Sequence, residues 1–170
     1  MNIFKASNKD VPEICALVNS AYRGDTSRKG WTTEADLFDG IRIDQTTLAT
    51  YLNEAGSVIL KYTDESHEII GCVYLKKERE HLYLGMLTVA PDMQAKGIGK
   101  LLLKAAEEKA IEDGCKSVVM TVITSRYELI KWYRRNGYYE TGLKQAFPKD
   151  EKFGKPKFPL EFVVLQKDIQ

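Results

Sequence analysis

The sequence predicts an α/β fold, a mixed β-sheet with helices on both of its faces. Three observations carry that expectation. Strand-like runs and segments of helical period follow one another in the order βααβββαβαββ. A run that stops at Pro91 leads through Gln94-Ala95-Lys96-Gly97-Ile98-Gly99 into the longest helical segment. The run 116–123 is apolar and β-branched without polar alternation, as in a strand covered on both sides.

The elements can be justified in order. Residues 2–6 read as a short opening strand. Asp10-Val11-Pro12-Glu13 has the form of a capping box, with Asp10 as N-cap and a proline tolerated in the first turn. Ile14, Leu17, Val18 and Ala21 then recur at helical spacing and give the first helix one apolar face. Residues 22–40 break that period, with Gly24, Gly30 and Gly40 among aromatic residues. A second helix is expected from about Asp44 to Asn53, ended by Gly56. Strands follow over 57–63, 68–76 and 82–89, with "TDESHE" as a hairpin turn and "KKERE" as the next link. The long helix runs from Gly97 to about Asp113, with Gly114 after it and Ile98, Leu101, Leu102 and Ala105 facing inward. After the strand 116–123, Ser125-Arg126-Tyr127-Glu128 reads as a second capping box, opening a helix to Asn136 that Gly137 closes. A strand at 138–141, a connection rich in Lys, Pro and Phe, and a last strand near 160–166 complete the chain. The length of 170 residues and the lack of repeats or linkers predict one domain, 1–170.

Composition excludes several functions. A formal net charge of +1 is unlike the strongly basic surface of a nucleic-acid binder, so no nucleic-acid partner is expected. No apolar run approaches the ~20 residues that span a bilayer, and the start of the chain lacks a signal-peptide pattern. No membrane partner is expected, and the cytoplasm is the expected compartment. Cys15, Cys72 and Cys115 are far apart and odd in number, with no zinc-ligand spacing, so they read as free thiols and no metal site is expected. His67 and His81 each stand alone among polar neighbours and read as surface residues.

The glycines before the long helix need a reason, because glycine within a helix costs about 1 kcal/mol against alanine. A helix start offers backbone N–H groups without internal partners, and the helix dipole adds positive character. Glycine lets a ligand touch that backbone, and Lys96 and Lys100 add full charges. The arrangement suits a diphosphate; a tight turn with glycines kept for packing is the plainer alternative. It is not a P-loop, because Leu101 stands where Ser or Thr is needed, nor a dinucleotide fingerprint, because Leu102 stands at the third glycine.

Gln94-x-x-Gly97-x-Gly99 after "LTVAP" resembles the acetyl-coenzyme A motif of the GNAT acetyltransferase superfamily. The element order agrees over nearly the whole chain, and "ELIKWYRRNGYYETG" resembles the family's later segment, here through Tyr133, Gly137 and Tyr138. The resemblance implies the acyl-CoA N-acyltransferase fold: a mostly antiparallel sheet in which parallel strands 82–89 and 116–123 splay apart. It implies acetyl-coenzyme A as cosubstrate, with Leu87, Thr88 and Val89 bonding the pantetheine arm. Gln94, Ala95, Lys96, Gly97, Ile98, Gly99 and Lys100 would hold the diphosphate. Tyr133 would be the general acid to the leaving thiolate, although its helical face with Leu129 and Trp132 also suits packing.

Many relatives carry a carboxylate on the strand where this chain has Gly85. The base is then ordered water or a carboxylate from elsewhere, with Glu34 as candidate and Glu128 as a weaker one. The acceptor is expected between 22–40 and 143–159, with Arg28 and Trp31 as binding residues; a solvated loop with Trp31 tucked into the core is the plainer alternative. Lys144, Lys149, Lys152, Lys155 and Lys157 either attract an acidic group or form a solvated face. The expected activity is acetyl transfer to the primary amine of a small molecule, with a homodimer possible. A non-catalytic acyl-CoA-binding module and a protein N-terminal or lysine acetyltransferase stay open as alternatives.

Overall fold

The computed structural model describes residues 2–169. The chain runs β1 (Ile3–Lys5), α1 (Val11–Tyr22), β2 (Phe38–Asp39), α2 (Gln45–Asn53), β3 (Ser57–Thr63), β4 (Ile69–Glu78), β5 (His81–Val89), α3 (Ile98–Glu112), β6 (Ser117–Ile123), α4 (Tyr127–Arg135), β7 (Tyr139–Ala146), β8 (Lys155–Pro156) and β9 (Glu161–Asp168). Seven strands form one sheet in the order β1-β3-β4-β5-β6-β9-β7, and β2 pairs with β8 apart from it. Every pairing is antiparallel except β5–β6. The mixed sheet and the element order agree with the sequence reading, which missed only the short β2–β8 pair.

Each face carries its own core. Ile14, Val18, Leu48 and Ile59 lie in the cluster between α1, α2 and the sheet. On the other face Leu102, Leu103, Ala106 and Ala110 of α3, with Ile130 and Tyr133 of α4, pack on Leu75, Leu82 and Val118. β4, an interior strand of the sheet, is buried along its first seven residues.

Several local expectations are corrected. The Asp10 carboxylate does not cap α1; it accepts from the Ser7 N–H (2.8 Å) and from Lys61 (2.8 Å). Glu13 reaches across to the Ile69 N–H instead (2.8 Å). Ser125 makes no cap on α4, whose N-cap residue is Arg126. The buried stripe of α3 runs Ile98, Leu102, Leu103, Ala106 and Ala110, while Leu101 is 48% exposed, because the helix sits about one residue round from the expected orientation. β4 extends through Lys77 and Glu78 and turns at Arg79-Glu80, and β7 extends to Ala146.

One irregularity in β5 positions the site. Pairing with β4 shifts between Cys72 and Tyr74, which face Thr88 and Gly85, so Met86 and Leu87 stand opposite the single residue Val73. Met86 takes φ 49°, a left-handed conformation that costs a side-chain-bearing residue roughly 1–3 kcal/mol. The bulge resets the alternation. Leu82 and Leu84 belong to the α3-side core, Met86 to the α1-side core, and Leu87 and Val89 pack on the α3 side again.

Candidate active site

β5 and β6 pair only from His81–Ser117 to Tyr83–Val119. Beyond Tyr83 they separate, since β6 continues with β9 while β5 continues with β4. A slot therefore opens beside residues 84–89. The Ala90 N–H bonds Ile70 O (2.9 Å), so alternation aims the Thr88 backbone at β4 and those of Leu87 and Val89 at the slot. Tyr22 donates its hydroxyl to Leu87 O, and Gln94 Nε2 donates to Val89 O (3.1 Å). The Thr88 side chain is buried, its hydroxyl bonded to Met86 O (2.9 Å).

The turn into α3 has the open backbone that its glycines suggest. Ala95 (φ 62°) and Gly97 (φ 85°) are both left-handed, and a Cβ placed on Gly97 would meet nothing within 4 Å. Conformation and open access, not packing, explain that glycine. At Gly99 a Cβ would lie 3.5 Å from the Trp132 ring, an ordinary contact. Leu101 N–H bonds Gly97 O (3.1 Å), so the amides of Ile98, Gly99 and Lys100 precede the helical ladder. Lys96 is exposed and near Met93 Sδ (3.6 Å). The Gln94 side chain ties the segment 30–32 to this turn: Oε1 accepts from Trp31 N–H (2.8 Å), and Nε2 also donates to Thr32 Oγ1 (2.8 Å). Val89, Gln94, Gly97, Gly99 and Trp132 wall a cavity of about 500 Å³ here.

A second cavity, about 460 Å³, lies at the other end of the slot, between the chain after α1 and the C-terminal strands. The β2–β8 pair, Phe38 opposite Pro156, fastens these two segments together. Arg23 lies against the Phe38 ring (4.0 Å) and under Gly154, where a Cβ would collide with its Nη1 at 2.1 Å. Glu34, 7% exposed, is in this cavity, with one oxygen 3.3 Å from Arg23 and the other 3.3 Å from Arg126. Arg126 also donates to Thr32 O (2.6 Å). Gly85 lies on the same wall, and a Cβ there would press on the Tyr83 ring at 3.0 Å. That ring occupies the space a strand carboxylate would need.

Tyr133 is 5% exposed and borders both cavities, as do Tyr22, Leu87 and Leu129. Its ring packs against Trp132 (5.0 Å) and Tyr138 (5.8 Å), so the packing and junction roles coincide. Burial, then the neighbouring Tyr22, push its hydroxyl above the ordinary tyrosine range.

The two residues expected to bind the acceptor do not line the second cavity. Arg28 is on the surface, paired with Asp36 (2.8 Å) and Asp25 (3.7 Å). Trp31 is 43% exposed and 6.4 Å from Trp132, beside the glycine turn and not in the second cavity. Glu128 pairs with Lys131 at 3.8 Å. The sequence reading missed Tyr22, Arg42 and Arg126. These come from a helix end, a loop and a helix start, with no periodic or motif signal linking them. All three cysteines are free and buried, and burial pushes Cys72 up to about 12. Among the described residues no group of three or more His, Cys, Asp or Glu could hold a metal, and no helix is long and apolar enough to cross a membrane.

Comparison with known proteins adds the class. The sequence model of the acetyltransferase (GNAT) family matches residues 12–138. The ribosomal-protein-alanine N-acetyltransferase of Brucella melitensis has the same fold at TM-score 0.74 and 20% identity, covering 99% of this chain and all of that one. The ribosomal-protein-S18-alanine N-acetyltransferase of Escherichia coli gives 0.72 and 16%, covering 100% and 95%. A nourseothricin acetyltransferase gives 0.60 and 20%, covering 68% and 67%. A search of curated protein sequences finds no significant match. The chain belongs to the GNAT acetyltransferase family, whose members use acetyl-coenzyme A.

Proposed function

We propose that this protein, acting as one domain over 1–170 in the cytoplasm, transfers an acetyl group from acetyl-coenzyme A to the primary amine of a small molecule, by direct attack while both are bound. One observation carries the reading: Tyr22, Leu87, Leu129 and Tyr133 line both cavities, so a thioester entering one would meet an amine entering the other. The acceptor cavity, about 460 Å³, falls in the range of small-molecule sites, and the β2–β8 pair fastens its rim. By their names, the structural neighbours act on ribosomal-protein alanine and on nourseothricin, so fold likeness does not choose the acceptor. Cavity size and the fastened rim favour the small one.

The residues suit the cosubstrate. Amides from Ala95 to Lys100, uncovered around the open side of Gly97, would hold the diphosphate, with Lys96 and Lys100 adding charge. Leu87 and Val89 would bond the pantetheine arm as an added strand, while Thr88 keeps β5 in register with β4. Gln94 shapes the turn through its ties to Trp31 and Thr32. Bound acetyl-coenzyme A supplies the activated acyl group.

The Leu87 N–H is the donor for the acyl oxygen as negative charge gathers there. Tyr133 gives its proton to the departing thiolate. Its raised pKa keeps that proton in place at neutral and moderately alkaline pH, so Tyr133 should produce no falling limb below about pH 10. Both Glu34 oxygens are engaged by arginines. We assign it to hold Arg23 and Arg126 in position, and assign removal of the amine proton to water.

Tyr133→Phe tests the reading. Release of free thiol from acetyl-coenzyme A with an amine panel should fall about 10²-fold in kcat, at similar cosubstrate affinity by calorimetry. An unchanged kcat where chemistry limits the rate removes Tyr133 from the role. If no amine accelerates thiol release by the unaltered protein, it is a binding module instead.

A further inference from the structure

Four cationic and three anionic side chains line the acceptor cavity. Three of the cations already have partners. Arg23 and Arg126 share Glu34, and Lys76 meets Glu54 at 2.9 Å. Arg42 is different: among the described residues its guanidinium reaches no carboxylate and no other acceptor. Its Nη1 is buried without a partner, as is Arg23 Nε, but Arg23 already has Glu34. Buried donors are rarely left that way, because nothing offsets the loss of their water.

The chain also holds Arg42 firmly in place. Its N–H donates to Asn19 Oδ1 (2.8 Å), and Asn19 bonds Ile43 through both N–H (3.1 Å) and C=O (2.9 Å). The guanidinium lies over the Phe153 ring at 5.1 Å. Nearby, Tyr51 stacks on Tyr74 with centroids 5.0 Å apart, giving the cavity an aromatic wall. Arg42 and Tyr22 line the same cavity, and the Tyr22 hydroxyl bonds Leu87 O beside the slot.

We propose that the acceptor is an amino carboxylate whose anionic group is gripped by Arg42, its amine directed toward Leu87 and Tyr133. This rests on the acyl-transfer reading above and names its substrate class. A guanidinium fork matches a carboxylate at two points, and the aromatic surroundings strengthen the pair by lowering the local dielectric. The cavity's single excess positive charge balances a monoanion whose amine is neutral. The arginine role expected at Arg28 thus passes to Arg42.

The test uses matched acceptors with acetyl-coenzyme A: L-phenylalanine against 2-phenylethylamine and L-phenylalaninamide, and 4-aminobutanoate against butylamine. In at least one set the acid should be favoured by about tenfold or more in kcat/KM, chiefly through KM. Arg42→Gln should reduce that preference to a few-fold, with Arg42→Lys in between. Neutral amines used as well as the acids, or a preference that survives Arg42→Gln, overturns the proposal.

A second readout needs no turnover. By calorimetry 3-phenylpropanoate, which has no amine, should bind the unaltered protein at least about tenfold more tightly than Arg42→Gln. Equal binding, or none, overturns the proposal. Binding that depends on Arg42, in a protein that acetylates no amine, upholds the anion site and sinks the transfer reading alone.

Discussion

Glu34 puts one carboxylate between two guanidiniums, 3.3 Å from each, with all three side chains 5–9% exposed. Taking these charges out of water is costly, and the arrangement holds because each oxygen has its own arginine. Removing the shared charge leaves two buried cations without a carboxylate. Glu34→Gln should therefore lower stability by about 3 kcal/mol in urea titrations, with Glu34→Asp recovering part of the loss. A change under about 0.5 kcal/mol would mean that the pairs contribute no more than surface ones. Single residues were also where the sequence was hardest to read. An arginine in a polar loop looks the same whether it ends on the surface with Asp36, as Arg28 does, or in the cavity without an acid, as Arg42 does. Gly85 was visible as a missing carboxylate, but its cause, the Tyr83 ring 3.0 Å from where its Cβ would be, is a spatial fact.

At the scale of elements, the reading succeeded where a period or a turn residue carried the signal. α1 buries Ile14, Leu17, Val18 and Ala21 as expected, and Gly114 (φ 68°) and Gly137 (φ 92°) follow α3 and α4. It failed where two options were locally equivalent. Leu101 and Leu103 are equally apolar, and only packing against the sheet decides that Leu103 goes in and Leu101 stays out. The β5 bulge left no mark, because Met86 is not a residue that favours positive φ. The glycine turn was legible, and its prediction belongs here. A side chain at Gly97 has room, yet its φ of 85° is strained for any L-residue. Gly97→Val should cost about 1–2 kcal/mol of stability. In calorimetry on folded protein it should also weaken coenzyme A binding by tenfold or more, through cover over the amides. Unaltered affinity would take the diphosphate away from this turn.

For the whole molecule, a chain order of βααβββαβαββ restricted the topology, and the parallel β5–β6 contact came from the family resemblance; the long connection through α3 is what permits it. What the order could not convey is how the two irregular segments close on each other. The β2–β8 pair joins residues more than a hundred positions apart through two residues a side, far too little for a sequence pattern. Through Phe38 that closure borders the second cavity, and Tyr133 lies where this cavity meets the glycine-turn cavity. The central claim is that this junction is where the thioester and the amine meet. A crystal structure of the protein with coenzyme A tests it most directly. The account predicts the diphosphate on the amides of residues 95–100 and the thiol within about 3.5 Å of the Tyr133 hydroxyl. A diphosphate bound away from that turn, or a thiol directed out of the slot, would contradict it.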